Sequence, residues 1–143
     1  MKRNEIPKPN KDQVDAPIIT ATTRYTMIPD EILEHMKAGA FQSLCEHLRS
    51  RSDLVSNMEL MTIGGFCRNC LAKWMVLGAR KLSIQLTSDA KCADVFAKQG
   101  QYCDDIVTTL QHWGYEDAAK IVYGVSYAEW KKRYQTKATE EQL

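Results

Sequence analysis

Apolar side chains at Ile32, Leu33, Met36, Ala40, Leu44 and Leu48 recur at steps of three and four, the period of one helix face. Pro29, Asp30 and Glu31 supply a helix start, with proline at the entrance and acids beside the positive end of the dipole. The pattern predicts a helix from Asp30 to about Arg51. Gly39 lies inside it and weakens it by about 1 kcal/mol relative to alanine, so a close packing contact is expected there.

Ser56 with Glu59 three residues on forms a candidate capping box. Leu60, Ile63, Cys67, Cys70, Trp74 and Leu77 then step alternately by three and four, which predicts a seam along one helix. Such a seam is expected to bury against the first helix or against a second copy of the chain. Gly65, Ala72 and Ala79 mark another stripe, of small side chains, where a neighbouring backbone can come close. Gly64-Gly65 offers the alternative of a break, with a short first piece and a helix that restarts at Phe66.

Beyond Arg80 the pattern predicts helices over about Asp89 to Lys98 and Tyr102 to Trp113, the second stopped by Gly114. A short helix over Tyr115 to Tyr123 follows, closed by Gly124 at its C′ position. Ser126 and Glu129 form a second candidate capping box for a last helix through Trp130 and Tyr134, whose Lys131, Lys132 and Arg133 suit the negative end of the dipole. No stretch alternates with period two and no hairpin turn joins two strand-like runs. The reading is all-α: a small multi-helix domain with helix-hairpin packing. Residues 1–24 hold Pro7, Pro9 and Pro17 without an apolar period and read as an extended or disordered, flexible arm, leaving 25–143 as one helical domain.

The total of 143 residues suits one domain. With 44% hydrophobic and 26% charged residues the composition is that of a globular protein, and no apolar run reaches membrane-spanning length. A formal charge of +1 provides no global attraction to nucleic acid or anionic lipid, so neither is an expected partner. Arg49, Arg51, Arg68, Lys73, Arg80 and Lys81 would form a basic patch if the first two helices lay side by side, although a solvated face is the commoner meaning of such charges. The cysteines, Cys45, Cys67, Cys70, Cys92 and Cys103, are odd in number and follow no secretory h-region, which points to a reduced compartment: the cytoplasm, with an organelle as the alternative.

The run from Ala40 to Trp74, with Phe41, Glu46-His47-Leu48-Arg49, Asp53, Asn57, Leu60-Met61 and Gly65-Phe66-Cys67-Arg68-Asn69-Cys70-Leu71, resembles a bacterial family catalogued as domain of unknown function 1244. Ile121-Val122-Tyr123-Gly124 and Tyr127-Ala128-Glu129-Trp130-Lys131 resemble that family's closing segment. The resemblance covers about Ala40 to Gln135 and implies a small, self-associating all-helical domain with no assigned reaction. Against the family's pattern, about residues 81–113 are an insertion carrying Cys92 and Cys103.

The thiols of Cys67 and Cys70 carry the only pointed chemistry. At i and i+3 they supply two zinc ligands, and His47 ranks first as a further ligand, followed by Cys45, Cys92, Cys103 and His112. Thiol redox chemistry is the second reading and requires Cys67 near a helix N-terminus. Plain packing of two small apolar side chains on the seam is the commoner meaning of such cysteines. No phosphate-cradling glycine loop, nucleophile elbow or zinc-protease helix is present, and no catalytic residue is assigned. The expectation is a binding or assembly protein rather than an enzyme. It would be a homo-oligomer or a subunit of a larger complex, with no cofactor unless zinc is held by Cys67, Cys70 and His47.

Overall fold

In a computed structural model of the chain, residues 28–88, 94, 103–135 and 140 are described. Among them are six helices and no strand: α1 (Asp30–Ser50), α2 (Asn57–Gly64), α3 (Arg68–Ser88), α4 (Cys103–His112), α5 (Tyr115–Tyr123) and α6 (Tyr127–Tyr134). The all-α reading is correct. The expected arm over 1–24 lies outside the described residues, as does the expected helix over Asp89 to Lys98 apart from Asp94; of the expected insertion, 81–88, 94 and 103–113 are described.

The chain divides into two units between Arg51 and Ser52. The first contributes α1, which starts behind Pro29 with Asp30 and Glu31 in its first turn and ends at Arg51, whose N–H reaches Leu48 O. Among the described residues a Cβ at Gly39 would meet nothing within 4 Å, so they do not provide the close contact expected at that glycine.

In the second unit α2 opens as its sequence predicts. Ser56 Oγ accepts the Glu59 N–H at 3.1 Å and the Glu59 carboxylate accepts the Ser56 N–H at 2.7 Å. These hydrogen bonds to the ionised form hold the Glu59 carboxyl below the usual carboxylate range. The helix stops at Gly65, which takes φ +70°, a left-handed conformation that glycine adopts without penalty. The break at Gly64-Gly65 is therefore real, and the long seam is split between two helices.

α3 is the central element and packs against α4 and α5, while α6 packs against α5. Its inward face is made of Arg68, Leu71, Ala72, Ala79, Ser83 and Leu86. Ala72 is fully buried, as are Ala118, Ala119 and Val122 of α5. Small side chains on both helices let the backbones approach, so the Ala72 and Ala79 stripe is the packing face. The expected seam is not: Ile63, Trp74 and Leu77 are 88%, 54% and 56% exposed. Both stripes are apolar at helical spacing, and the one with less bulk gives the closer approach to two neighbours. Gly65 does not belong to the packing stripe, because a Cβ there would meet nothing within 4 Å among the described residues.

α5 ends at Gly124, at φ +78°, as read from the sequence. Gly114 stops α4 and begins α5, its N–H donating to Asp117 Oδ2 at 2.9 Å. In α6, Ser126 Oγ accepts the Glu129 N–H at 3.2 Å. Trp130 is buried, with Nε1 donating to Ser52 Oγ at 3.0 Å, and its ring meets Tyr123 and Tyr134 at centroid separations of 4.9 and 5.6 Å.

Candidate functional site

The chemistry gathers at the N-terminus of α3, where the turn after Gly65 delivers Cys67, Arg68, Asn69 and Cys70 in succession. Cys67 stands just before the helix, with its carbonyl accepting the N–H groups of Cys70 and Leu71 at 2.9 and 3.3 Å. Its sulfur is buried, whereas Cys70, in the first turn, is half-buried. The two Sγ atoms lie 3.9 Å apart, and both cysteines are free thiols. Burial pushes the Cys67 thiol up, against a pull downward from the backbone N–H groups of Cys70 and Asn69.

Arg68 is wholly buried, and it takes its place through specific partners. Nη1 donates to Val55 O at 2.9 Å and to Asn57 Oδ1 at 3.2 Å, and the guanidinium lies 5.2 Å from the Trp130 ring centroid. Burial lowers its pKa, while nearby Tyr123 and Cys67 act in the opposite sense. Arg68 therefore does not contribute to an exposed basic patch. Arg80 is also committed, donating to the Leu110 carbonyl of α4.

Asn69 organises the tyrosines. Its Oδ1 accepts the hydroxyls of Tyr115 and Tyr123, the latter at 2.5 Å, and its Nδ2 donates to Tyr127 Oη at 3.3 Å. Asn57 Nδ2 donates to Tyr123 Oη at 3.0 Å, which joins this group to Arg68. Tyr115 meets Tyr127 edge-on at 5.9 Å, and Tyr123 meets Tyr127 at 5.3 Å. Burial pushes the Tyr115 hydroxyl up to about 12 and raises Tyr123 as well.

Of the residues expected at a metal site, Cys67 and Cys70 are together. His47 lies on α1 in the other unit, where its Nδ1 is 3.2 Å from Arg51 Nη1. Cys45 is buried on α1, and His112 closes α4 with Nδ1 at 2.9 Å from Thr108 O. Cys92 and the Cys103 side chain lie outside the described residues. Among the described residues no three His, Cys, Asp or Glu side chains gather as a metal site.

The family model described as Protein of unknown function (DUF1244) matches residues 55–105 and 100–143. The chain belongs to this family. The match starts at Val55, so α1 lies outside it, while both the turn carrying Cys67 to Cys70 and the closing α5 and α6 lie within. Membership thus covers every residue of the Arg68 and Asn69 network. No curated protein matches the chain in sequence. Among the described residues no helix is long and apolar enough to cross a membrane.

Asn57, Asn69, Tyr115, Tyr123 and Tyr127 were not distinguished in the sequence as members of one site. Their partners lie 46 to 66 residues apart along the chain, and no local pattern pairs residues over that span. The signal available is Arg68 and Asn69 side by side at the start of α3, with Asn57 at the start of α2 before it.

Proposed function

We propose that the protein is a helical binding and assembly module that self-associates through the outer face of α3. The observation supporting this is a row of large apolar side chains on that face: Trp74, Leu77 and Ile84, exposed by 54%, 56% and 63%. The opposite face of the same helix is already buried on α4 and α5, so α3 is apolar on two sides. A helix of this kind gains by covering its second face. The spacing of three and four that runs from Cys70 through Trp74, Leu77 and Lys81 to Ile84 is the repeat by which helices pair side by side. One such face is self-complementary about a two-fold axis, and a net charge of +1 sets up little repulsion between copies.

Native mass and sedimentation of the full chain over a range of concentrations test this. A dimer is expected that becomes monomeric in the Trp74→Glu, Ile84→Glu double variant with its helix content unchanged. A monomer at all concentrations would refute self-association, and a partner from a larger complex would then be the occupant to seek.

A second reading rests on the thiol pair. Two sulfurs 3.9 Å apart match the separation of roughly 3.8 Å that tetrahedral ligation at about 2.3 Å imposes on two zinc-bound thiolates. Cys67 and Cys70 would supply two ligands. Bound zinc should shield both thiols from alkylation.

A further inference from the structure

We infer that Cys67 and Cys70 form a reversible dithiol–disulfide site that reacts with low-molecular-weight disulfides of the glutathione type, with Cys70 as the entry thiol and Cys67 as the resolving thiol. This does not rest on the assembly face. Zinc needs further ligands beyond the two sulfurs, and no third side chain gathers with them among the described residues. Disulfide formation needs only the pair.

The order of the two thiols follows from their placement. Cys70 is half-buried on the first turn of α3 and is the sulfur an incoming disulfide reaches, whereas Cys67 is only 6% exposed behind it. Cys67 precedes the helix, so its side chain is not bound to the helical lattice that fixes Cys70. The Sγ atoms at 3.9 Å have to close to about 2.05 Å, a movement of the order of one side-chain rotation. The N–H groups of Asn69 and Cys70 favour negative charge on Cys67, and the buried guanidinium of Arg68 gains from that charge. Burial still raises the Cys67 thiol, so the 3.9 Å approach to Cys70 Sγ, rather than an acidic thiol, is what equips Cys67 to resolve a mixed disulfide.

The chemistry balances in two exchanges. Cys70 thiolate attacks one sulfur of oxidised glutathione, a Cys70–glutathione bond forms, the glutathione S–S bond breaks, and the departing glutathione thiolate takes up the proton lost by Cys70. Cys67 then attacks Cys70 Sγ, the protein disulfide forms, and the second glutathione leaves as a thiolate that takes the Cys67 proton. Two protein thiols are oxidised and one glutathione disulfide is reduced to two thiols.

Peptide mapping of the native full-length protein tests this directly, because trypsin cuts after Arg51, Arg68 and Lys73 and so places Cys67 and Cys70 on separate peptides. After oxidised glutathione and alkylation, residues 52–68 are expected joined to residues 69–73, and reduced glutathione should separate them. The Cys67→Ser variant should trap glutathione on Cys70, and the Cys70→Ser variant should trap several-fold less on Cys67. The same mapping in Trp74→Glu keeps the outcome independent of assembly. Alkylation of both thiols at every glutathione ratio would overturn the site, as would one bound zinc that blocks oxidation. Preferential trapping on Cys67 would overturn the assigned order.

Discussion

At the scale of single residues, Asn69 is the side chain on which the tyrosines depend. Its carbonyl oxygen accepts from Tyr115 and Tyr123, so Asn69→Ala removes the acceptor of two hydroxyls at once. Leaving buried donors unsatisfied costs about 1–3 kcal/mol, and a denaturant titration should show a loss of that size with an unchanged slope. Asn69→Asp is not a neutral substitute, because its carboxylate cannot donate to Tyr127. The tyrosines also set an alkaline limit. Tyr115 keeps its proton up to about 12 in the folded protein against an ordinary value of 10.0, so the folded state holds more protons than the unfolded state within that window. Their contribution is complete below pH 10 and is lost as pH rises toward 12. Tyrosinate absorbance followed with circular dichroism checks this: part of the tyrosine signal should appear only as helix is lost.

At the scale of elements, the two features that bound and place α3 have opposite physical origins. Gly65 is held by its backbone, since it sits at φ +70° with nothing within 4 Å of a Cβ there among the described residues. Gly65→Ala should cost about 1–2 kcal/mol from the left-handed conformation, and Gly65→Asn less. Ala72 is held by its surroundings, being fully buried, and Ala72→Leu should cost about 1–3 kcal/mol through overpacking against the neighbouring helices. Thermal midpoints of the variants separate the two causes, because asparagine rescues only the first.

The same contrast explains what the amino-acid pattern revealed. The Ser56–Glu59 box, the Gly124 stop and the helix starts at Asp30 and Tyr127 are local, each decided by residues within one turn, and they were legible. Which face of α3 turns inward was not, because Trp74 and Leu77 outweigh Ala72 and Ala79 in any count of apolar bulk. The choice is made by α4 and α5, which arrive more than a helix later. Arg68 was unreadable for a related reason: a guanidinium counts as surface until Val55 O, Asn57 and the Trp130 ring are brought around it. The CxxC spacing was visible, but the depth difference between its two sulfurs comes from the turn at Gly65.

At the scale of the whole molecule, the exposed row on α3 and the near-neutral charge make the proposed association apolar in character. It should therefore persist at high salt, in contrast to a contact built on charge. Elastic scattering or sedimentation in low and high salt is the check, with a large salt-dependent dissociation counting against the α3 face.

The hydrogen bond from Trp130 to Ser52 spans 78 residues, and the one from Asn57 to Tyr123 spans 66. At synthesis rates of about 5–20 residues per second, Ser52 joins the chain roughly 4–16 s before Trp130 exists to cover it. Over that interval α2 and the start of α3 are made while the closing helices are still untranslated, and Arg68 has no aromatic ring above it. Until those helices close, Cys67 and Cys70 are equally open to the surrounding medium, and the difference in depth between the two thiols belongs only to the finished fold.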